Sequence, residues 1–220
     1  MLKFRNWLMS FESTEIDLNN PPPLPVMSLK SLSDIKGTKE ERFLKVAKNV
    51  SEKYNLAKPT SYLDGGFYAK VYNTEDPNLV IRVARNEESE CEKKINEKEI
   101  QETGGVVKVY HQYEEDYYDE DYGEENYIIS YKEKVDTNWL GYLKKQYNEI
   151  SEEYKVLIDV IQWKLSSQSE FYAKQGLEIL KKYKETDNLV NAVEAGISSD
   201  DLHKDNIGVN KSGNIVVIDC

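Results

Sequence analysis

The spacing of hydrophobic residues changes twice along the chain. After Thr38, apolar residues recur every three or four positions, and the Thr38-x-x-Glu41 capping pattern precedes them. This combination predicts an amphipathic helix over about 39–54. From position 61, short β-prone runs replace that spacing, and after Asp136 the helical spacing returns for about sixty residues. The pattern therefore predicts a helix, then a sheet, then a helical region.

The middle of the sequence predicts five strands and one helix. The strands are expected at 62–63, 68–72, 79–83, 106–113 and 127–131. A charged segment at 87–102, with Cys91, Ile95 and Ile100 as its apolar positions, is predicted to form a single helix between the third and fourth strands. This order of elements indicates an α+β fold.

The last part of the sequence predicts helices and a closing strand. Apolar residues at 139–165 and at 171–183 predict two helices, and a turn at 211–214 leads into a strand at 215–218. We therefore divide the sequence into three regions, at 1–36, 37–135 and 136–220. The first is an appendage whose Pro-rich segment is either a stiff linker or a ligand for an aromatic-grooved adaptor domain.

Charge is concentrated in one place. The 220 residues include 29 Lys and Arg against 40 Asp and Glu, a net charge of -11. The run at 113–126 holds eight of these acids and no basic residue, so the rest of the chain carries only -3. An acidic chain does not attract nucleic acid or an anionic membrane. We expect the run to be the loop between the fourth and fifth strands.

Two interpretations of this acidic run remain open. It is either a solvated loop held open by like charges or a functional element. A functional run would meet the basic surface of a protein partner, or offer Tyr117, Tyr118 and Tyr122 as phosphate acceptors.

Cysteine and hydropathy patterns indicate a cytoplasmic protein, or one in the host cytoplasm if the source is viral. The two cysteines, Cys91 and Cys220, are expected to be free thiols in a reducing compartment. His111 and His203 do not have the paired spacing of a zinc site. No stretch approaches the roughly 20 apolar residues that span a bilayer.

The end of the sequence carries the strongest chemical motif. It reads Asp201-Leu202-His203-Lys204-Asp205-Asn206, followed by an apolar strand that ends in Asp219. With the preceding order of elements, this resembles the protein kinase superfamily over roughly 60–220, including aminoglycoside and choline kinase-like enzymes and compact kinase-like proteins of bacteriophages. The resemblance implies a bilobal fold, with a five-stranded antiparallel N-lobe carrying one helix and a reduced helical C-lobe.

The resemblance also implies roles for these residues. Asp201 would orient the acceptor hydroxyl, and Asn206 and Asp219 would hold Mg²⁺ through hard oxygen ligands. His203 and Lys204 would neutralise charge near the transferred phosphate. The alternative is that the Asp and Asn residues of 205–206 and 213–214 only form turns between two strands.

A second motif lies between the first two predicted strands. The segment 63–72 resembles the glycine loop of the family, with Gly65 and Gly66 allowing backbone N–H groups to approach ATP phosphates. Asp64 and Ala69 replace two of the usual glycines, and the carboxylate of Asp64 would repel phosphate unless it points outward. The alternative is an ordinary hairpin turn.

The third predicted strand resembles V-A-I-K, with Arg82 in place of the lysine. Three interpretations remain open: Arg82 binds the phosphates in a variant way, Lys70 substitutes for it, or nucleotide binding is impaired. The partner of Arg82 is expected to be Glu92, with Glu88, Glu90 and Glu97 as alternatives. The hinge that reads adenine is expected near 131–135.

Two functions are consistent with these motifs, and a purely structural domain is the third possibility. The first is a minimal phosphotransferase that moves the γ-phosphate of ATP to a protein or small-molecule hydroxyl with Mg²⁺. The second is a pseudokinase-like module that acts by protein binding. The given sequence ends one residue after Asp219, so we expect no activation segment or peptide-binding helices.

Overall fold

The computed structural model describes residues 30–31, 38–85, 88–119, 123–147, 151–164, 170–198, 202 and 204–219. The Pro-rich segment of the N-terminal region lies outside the described residues, so its two interpretations stay open.

Five antiparallel strands form the main sheet, and a two-residue strand adds to one edge in parallel. Their order across the sheet is β1-β5-β6-β4-β3-β2. The α+β class and the antiparallel sheet predicted from the sequence are confirmed. The strands are β1 (Lys30–Ser31), β2 (Pro59–Asp64), β3 (Ala69–Thr74), β4 (Leu79–Arg85), β5 (Val109–Asp119) and β6 (Gly123–Glu133).

The described parts of the acidic run, 113–119 and 123–126, are strand, so the prediction of a loop is wrong for them. Most of the run belongs to the long β5–β6 hairpin, in which Tyr113 pairs with Ile129 and Glu115 with Tyr127. The run folds as strand because its side chains alternate in burial: Glu115 and Tyr117 are buried, whereas Glu114 and Asp116 are exposed.

The first helix is confirmed at its predicted position. Helix α1 spans Lys39–Lys53, and the backbone N–H of Thr38 donates to Glu41 Oε2 at 2.6 Å, as the capping pattern predicts. The other α-helices are α2 (Glu88–Ile95), α3 (Lys98–Glu102), α4 (Trp139–Gln146), α5 (Glu152–Asp159), α6 (Glu170–Leu180) and α7 (Asp187–Glu194).

The charged segment at 87–102 forms two helices, so the prediction of a single helix is wrong. Helix α2 ends at Ile95, and α3 begins at Lys98. The Ile95 carbonyl accepts a hydrogen bond from Gln101 Nε2 at 2.9 Å, and the same Nε2 donates to the Val107 carbonyl at 3.0 Å. In a continuous helix a backbone N–H of the next turn would bind the Ile95 carbonyl, but here the Gln101 side chain binds it, and the helix is interrupted.

The helix predicted over 139–165 is also divided. Helix α4 ends at Gln146, and Ser151 caps α5 by accepting from the Tyr154 N–H at 3.1 Å. Helix α5 then continues into a π-helical turn at Val160–Lys164. Helix α7 follows a short 3₁₀ turn and was not predicted from the sequence.

Two hydrophobic cores lie on different elements. In the first, α1 packs through Phe43 and Val50 on one face of the sheet, against Tyr72, Ile81 and other residues of the central strands. The second joins the C-terminal helices to Ile95, Ile100 and residues 106–107. The segment after α3 therefore packs with the C-terminal region, although the sequence division at 135 assigned it to the preceding one.

The chain closes with a small hairpin of β7 (Ile207–Val209) and β8 (Ile215–Val217), which confirms the predicted final strand. The Val107 N–H donates to the Val217 carbonyl at 2.7 Å, and the Val217 N–H donates to the Gly105 carbonyl at 2.9 Å. These bonds hold β8 beside the segment that precedes β5 and place Asp219 close to the sheet.

Cys91 is disulfide-bonded, so the expectation of two free thiols is wrong. The sequence has only one other cysteine, Cys220, which lies outside the described residues. Cys91 Sγ lies 3.6 Å from Oδ1 of Asp219, the residue before Cys220. The fold therefore brings Cys91 close to the end of the chain.

None of the described helices is long and apolar enough to cross a membrane.

Candidate functional site

Arg82 connects two carboxylates from distant parts of the chain. Its Nη1 donates to Glu92 Oε1 at 2.5 Å, and its Nη2 donates to Asp219 Oδ1 and Oδ2 at 2.8 and 2.7 Å. Arg82 lies on β4, Glu92 on α2, and Asp219 just beyond β8. The structure thus brings together three of the residues selected from the sequence, and the expected Arg82–Glu92 ion pair is present.

A fourth charged residue, Lys132, completes the cluster. Lys132 Nζ lies 2.6 Å from Glu92 Oε1 and 3.4 Å from the Ile218 carbonyl oxygen. Glu92, Arg82 and Lys132 are buried, whereas the side chain of Asp219 is 31% exposed. We call Arg82, Glu92, Lys132 and Asp219 the charge cluster. Its two cations balance its two anions.

Burial and pairing act in opposite directions on the ionisable groups of this cluster. Burial raises the pKa of Glu92, but the positive charges of Lys132 and Arg82 outweigh it and hold that pKa below the ordinary value of 4.5. Burial lowers the pKa of Lys132, and nearby Arg82 lowers it further, although Glu92 opposes both. Glu92 is therefore a carboxylate held ionised inside the protein.

Strand register decides which side chains enter the cluster. On β4 and β6, Arg82 pairs with Ser130, and Val80 pairs with Lys132. Directly paired residues point to the same face, and alternate residues of a strand share a face. Arg82 and Lys132 therefore leave the sheet on the same side, away from the α1 core.

Lys70 lies on the opposite face and does not reach the cluster. It pairs with Val83, the neighbour of Arg82, and packs with the α1 side of the sheet. Lys70 Nζ lies 3.6 Å from Glu40 Oε1 of α1 and 5.6 Å from the ring centre of Tyr62. The structure therefore does not support the interpretation in which Lys70 substitutes for Arg82.

Asn206 lies opposite Ile218, the residue before Asp219, at the end of the terminal hairpin. The Ile218 N–H donates to the Asn206 carbonyl at 2.9 Å, which continues the pairing of β7 and β8 by one residue. Lys204 belongs to the 3₁₀ turn before β7. Asp201 and His203, the other residues of this motif, lie outside the described residues.

The glycine loop is held by its own side chains. Gly65 has φ +145°, and a Cβ on it would lie 2.4 Å from the Ala69 carbonyl oxygen. Gly66 has open space around it. The Gly65 N–H donates to Asp64 Oδ1 at 2.7 Å, so this carboxylate binds the loop itself. Tyr62 donates its hydroxyl to the Gly65 carbonyl at 3.1 Å.

Sequence reasoning missed Lys132. The residue falls in the expected hinge segment at 131–135, but β6 continues to Glu133. The available signal was its spacing of two from Ser130, which predicts a shared face once β6 is extended. Both faces of β6 are buried, so no alternation of polar and apolar residues identified Lys132.

The donor set at Asn206 and Asp219 suits Mg²⁺ in chemical type. One amide and one carboxylate supply hard oxygens, and the partial exposure of Asp219 leaves an approach from solvent. Within the described parts of the chain, no group of three or more His, Cys, Asp or Glu side chains forms a metal-binding cluster.

No protein-family model and no curated protein matches the chain.

Proposed function

We propose that the protein is a kinase-like phosphotransferase that moves the γ-phosphate of ATP to a hydroxyl of a protein or small molecule. The observation that carries this proposal is the Arg82 guanidinium between Glu92 and Asp219. Phosphoryl transfer needs a cation fixed at the phosphates and a carboxylate for the metal ion, positioned beside each other. The charge cluster supplies both, at the face of the sheet opposite α1.

Each residue of the proposed site has a defined task. Arg82 would bind phosphate oxygens with its planar guanidinium, which suits bidentate contacts. Glu92 holds Arg82 from the buried side. Gly65 allows the turn of the glycine loop, and backbone N–H groups other than its own, which Asp64 binds, would approach the phosphates.

Asn206 and Asp219 would hold Mg²⁺. When bound, this ion would supply positive charge to neutralise the phosphates. Asp201, outside the described residues, is proposed to orient the acceptor hydroxyl.

The proposal requires Asp219 to exchange partners when nucleotide binds. Both of its carboxylate oxygens accept from Arg82 Nη2. Phosphate oxygens would compete with this carboxylate for the same guanidinium, and the released Asp219 would be able to hold a metal ion. Its 31% exposure gives the carboxylate room to do so.

The experiment is thermal denaturation with and without ATP and MgCl₂. Nucleotide at 100 times its dissociation constant is expected to add about 2.7 kcal/mol to the free energy of unfolding. No stabilisation at saturating nucleotide would contradict the proposal. Asp219→Asn is expected to abolish transfer of labelled γ-phosphate to the protein itself or to water. Asp187→Asn, which changes an exposed acid at the start of α7, is the matched control.

A specific observation favours a second function, a binding module without catalysis. The charge cluster is neutral and internally paired, so it is stable without a ligand. A module of this kind would act through its surface, where Glu114, Asp116 and Glu124 are exposed on the β5–β6 hairpin. These acids favour a protein partner with a basic surface.

The two functions differ in a simple measurement. The binding module predicts no response to ATP and salt-sensitive binding to a basic probe such as polylysine. Replacing Glu114, Asp116 and Glu124 by their amides is expected to weaken that binding at least tenfold. Unchanged binding by the triple variant would remove the hairpin as the partner surface.

A further inference from the structure

We propose that Lys132 is a positioning residue that neutralises Glu92 and thereby leaves Arg82 available for the phosphate groups of a nucleotide. This inference rests on the proposed function and adds to it a residue that the motifs do not contain. The inference is based on one oxygen, Glu92 Oε1, that both cations contact: Arg82 Nη1 lies 2.5 Å from it and Lys132 Nζ lies 2.6 Å from it.

Lys132 and Arg82 differ in the contacts they make besides the one with Glu92. Lys132 is 3% exposed, and its other close contact is a backbone carbonyl, that of Ile218. The positive charge of Lys132 is therefore paired with the carboxylate of Glu92. Arg82 extends its second nitrogen to Asp219, the partly exposed member of the cluster. Arg82 is itself only 5% exposed, but its contact with Asp219 makes it the cation on the solvent-facing side of the cluster.

The buried position of Glu92 explains why a second cation matters. Glu92 is fully buried and ionised, so it must keep at least one cationic partner. If Arg82 were that only partner, every movement of the guanidinium toward phosphate would leave a carboxylate unpaired in the interior. With Lys132 in place, Arg82 can shift while Glu92 stays neutralised.

Contacts that do not involve Arg82 also hold helix α2 in place. Gln112 Nε2 donates to the Glu92 backbone carbonyl at 2.8 Å and to Ser130 Oγ at 3.1 Å. Gln112 and Lys132 thus hold the backbone and the side chain of Glu92 to neighbouring strands. The position of Glu92 is set by β5 and β6, and Arg82 is left with freedom to change partner.

The test is calorimetric titration with ATP and, separately, with inorganic tripolyphosphate. We expect Lys132→Met to weaken binding of both at least tenfold, because Arg82 becomes the only partner of Glu92. The double variant Lys132→Met with Glu92→Gln is expected to bind at least fivefold more tightly than Lys132→Met alone, since the buried charge that retains Arg82 is gone. A lysine with a purely structural role would not produce this recovery.

Lys98→Met is the matched control. Lys98 is exposed on α3, and its Nζ lies 3.8 Å from Glu102 Oε1, so its loss is expected to leave binding unchanged. Equal affinity of wild type and Lys132→Met would overturn the inference, as would a double variant no better than the single one.

If Lys132→Met does not fold, the comparison moves to the Glu92→Gln background. There Lys132 has no carboxylate to neutralise, so Glu92→Gln with and without Lys132→Met should bind alike, and a tenfold difference would overturn the inference. Wild-type protein that binds neither ATP nor tripolyphosphate would overturn the proposed function and this inference together. Wild-type binding with an unaffected Lys132→Met variant would overturn the inference alone.

Discussion

Arg82 Nη2 holds both carboxylate oxygens of Asp219, at 2.8 and 2.7 Å, although 137 positions separate the two residues in the chain. This contact connects the sheet with the end of the described chain. It uses the fork of the guanidinium, whose two terminal nitrogens bind Glu92 and Asp219 separately, whereas all donors of a lysine lie on one nitrogen. The identity of the cation at position 82 therefore affects how the end of the described chain is held to the sheet.

We predict that Arg82→Lys lowers the free energy of unfolding by about 2 kcal/mol, the order expected for charge-assisted hydrogen bonds lost from a buried group. Urea denaturation at pH 7 measures it. An Arg82→Lys protein as stable as the wild type would show that the charge alone, without the bidentate contact, holds the chain end.

Replacing Glu92 by Gln should cost about 3 kcal/mol at pH 7, because Lys132 is then buried without its carboxylate partner and Arg82 keeps only Asp219. Denaturation of the two proteins side by side measures the difference. Glu99→Gln, an exposed change on α3, is the control and should stay within about 0.5 kcal/mol of wild type.

This cost of Glu92→Gln should shrink in acid. The pKa of Glu92 is lower in the folded protein than its ordinary value of 4.5. The ionised carboxylate therefore stabilises the fold fully above about pH 4.5, and this contribution is lost as the pH falls through the lower, folded-state pKa. Wild type should lose more stability than Glu92→Gln on acidification below pH 4.5. If the free energies of unfolding of the two proteins changed in parallel with pH, the lowered pKa of Glu92 would be contradicted.

The glycine loop offers a matched pair of substitutions. Gly65→Ala should destabilise the protein by about 1–3 kcal/mol, because its φ of +145° and its approach to the Ala69 carbonyl leave no place for a Cβ. Gly66→Ala meets no atom within 4 Å and should be neutral or slightly stabilising. Thermal denaturation distinguishes them, and equal effects would show that the loop adopts another conformation in solution.

Helix α1 and the order of the strands could be predicted because each has a local signal. The capping pattern and the three-to-four spacing lie within the helix itself, and the β-prone runs end at turn residues. The two strands of the β5–β6 hairpin were predicted, but their extension through the acidic run was missed, because the many acids of the run indicated a solvated loop. Charge indicates solvation on average, but alternation decides which charges are solvated.

The composition of the charge cluster could be predicted only in part. Arg82, Glu92 and Asp219 were selected because they occupy motif positions. Whether Lys70 or Lys132 stands beside Arg82 depends on strand register, which is set by contacts between distant parts of the chain. That information is absent from any local pattern.

The acids of the hairpin should differ sharply in their contribution to stability. Glu125 is buried against Arg85 and accepts the Tyr127 hydroxyl at 2.6 Å. Glu125→Gln should therefore cost about 2–3 kcal/mol, whereas Glu124→Gln, on the exposed side, should change stability by less than about 0.5 kcal/mol. Chemical denaturation of the two variants makes the comparison. Equal effects would show that the alternation in burial does not persist in solution.

Reduction should weaken the fold through Cys91. Removing a disulfide costs about 2–4 kcal/mol in typical cases, so dithiothreitol should lower the melting temperature of the wild type. Cys91→Ser should melt lower and show no response to the reductant. A wild type that is insensitive to dithiothreitol, with free thiols by alkylation and mass spectrometry, would contradict the bond.

Strand structure gives the acidic hairpin a fixed geometry. Glu114 and Asp116 stand two residues apart on one face of β5, a spacing of roughly 7 Å, and Asn126 bridges them with bonds of 3.0 and 2.6 Å. A loop could rearrange its charges to fit many basic surfaces, whereas a strand holds them at a fixed spacing. A binding surface must therefore match the spacing of these charges as well as their sign.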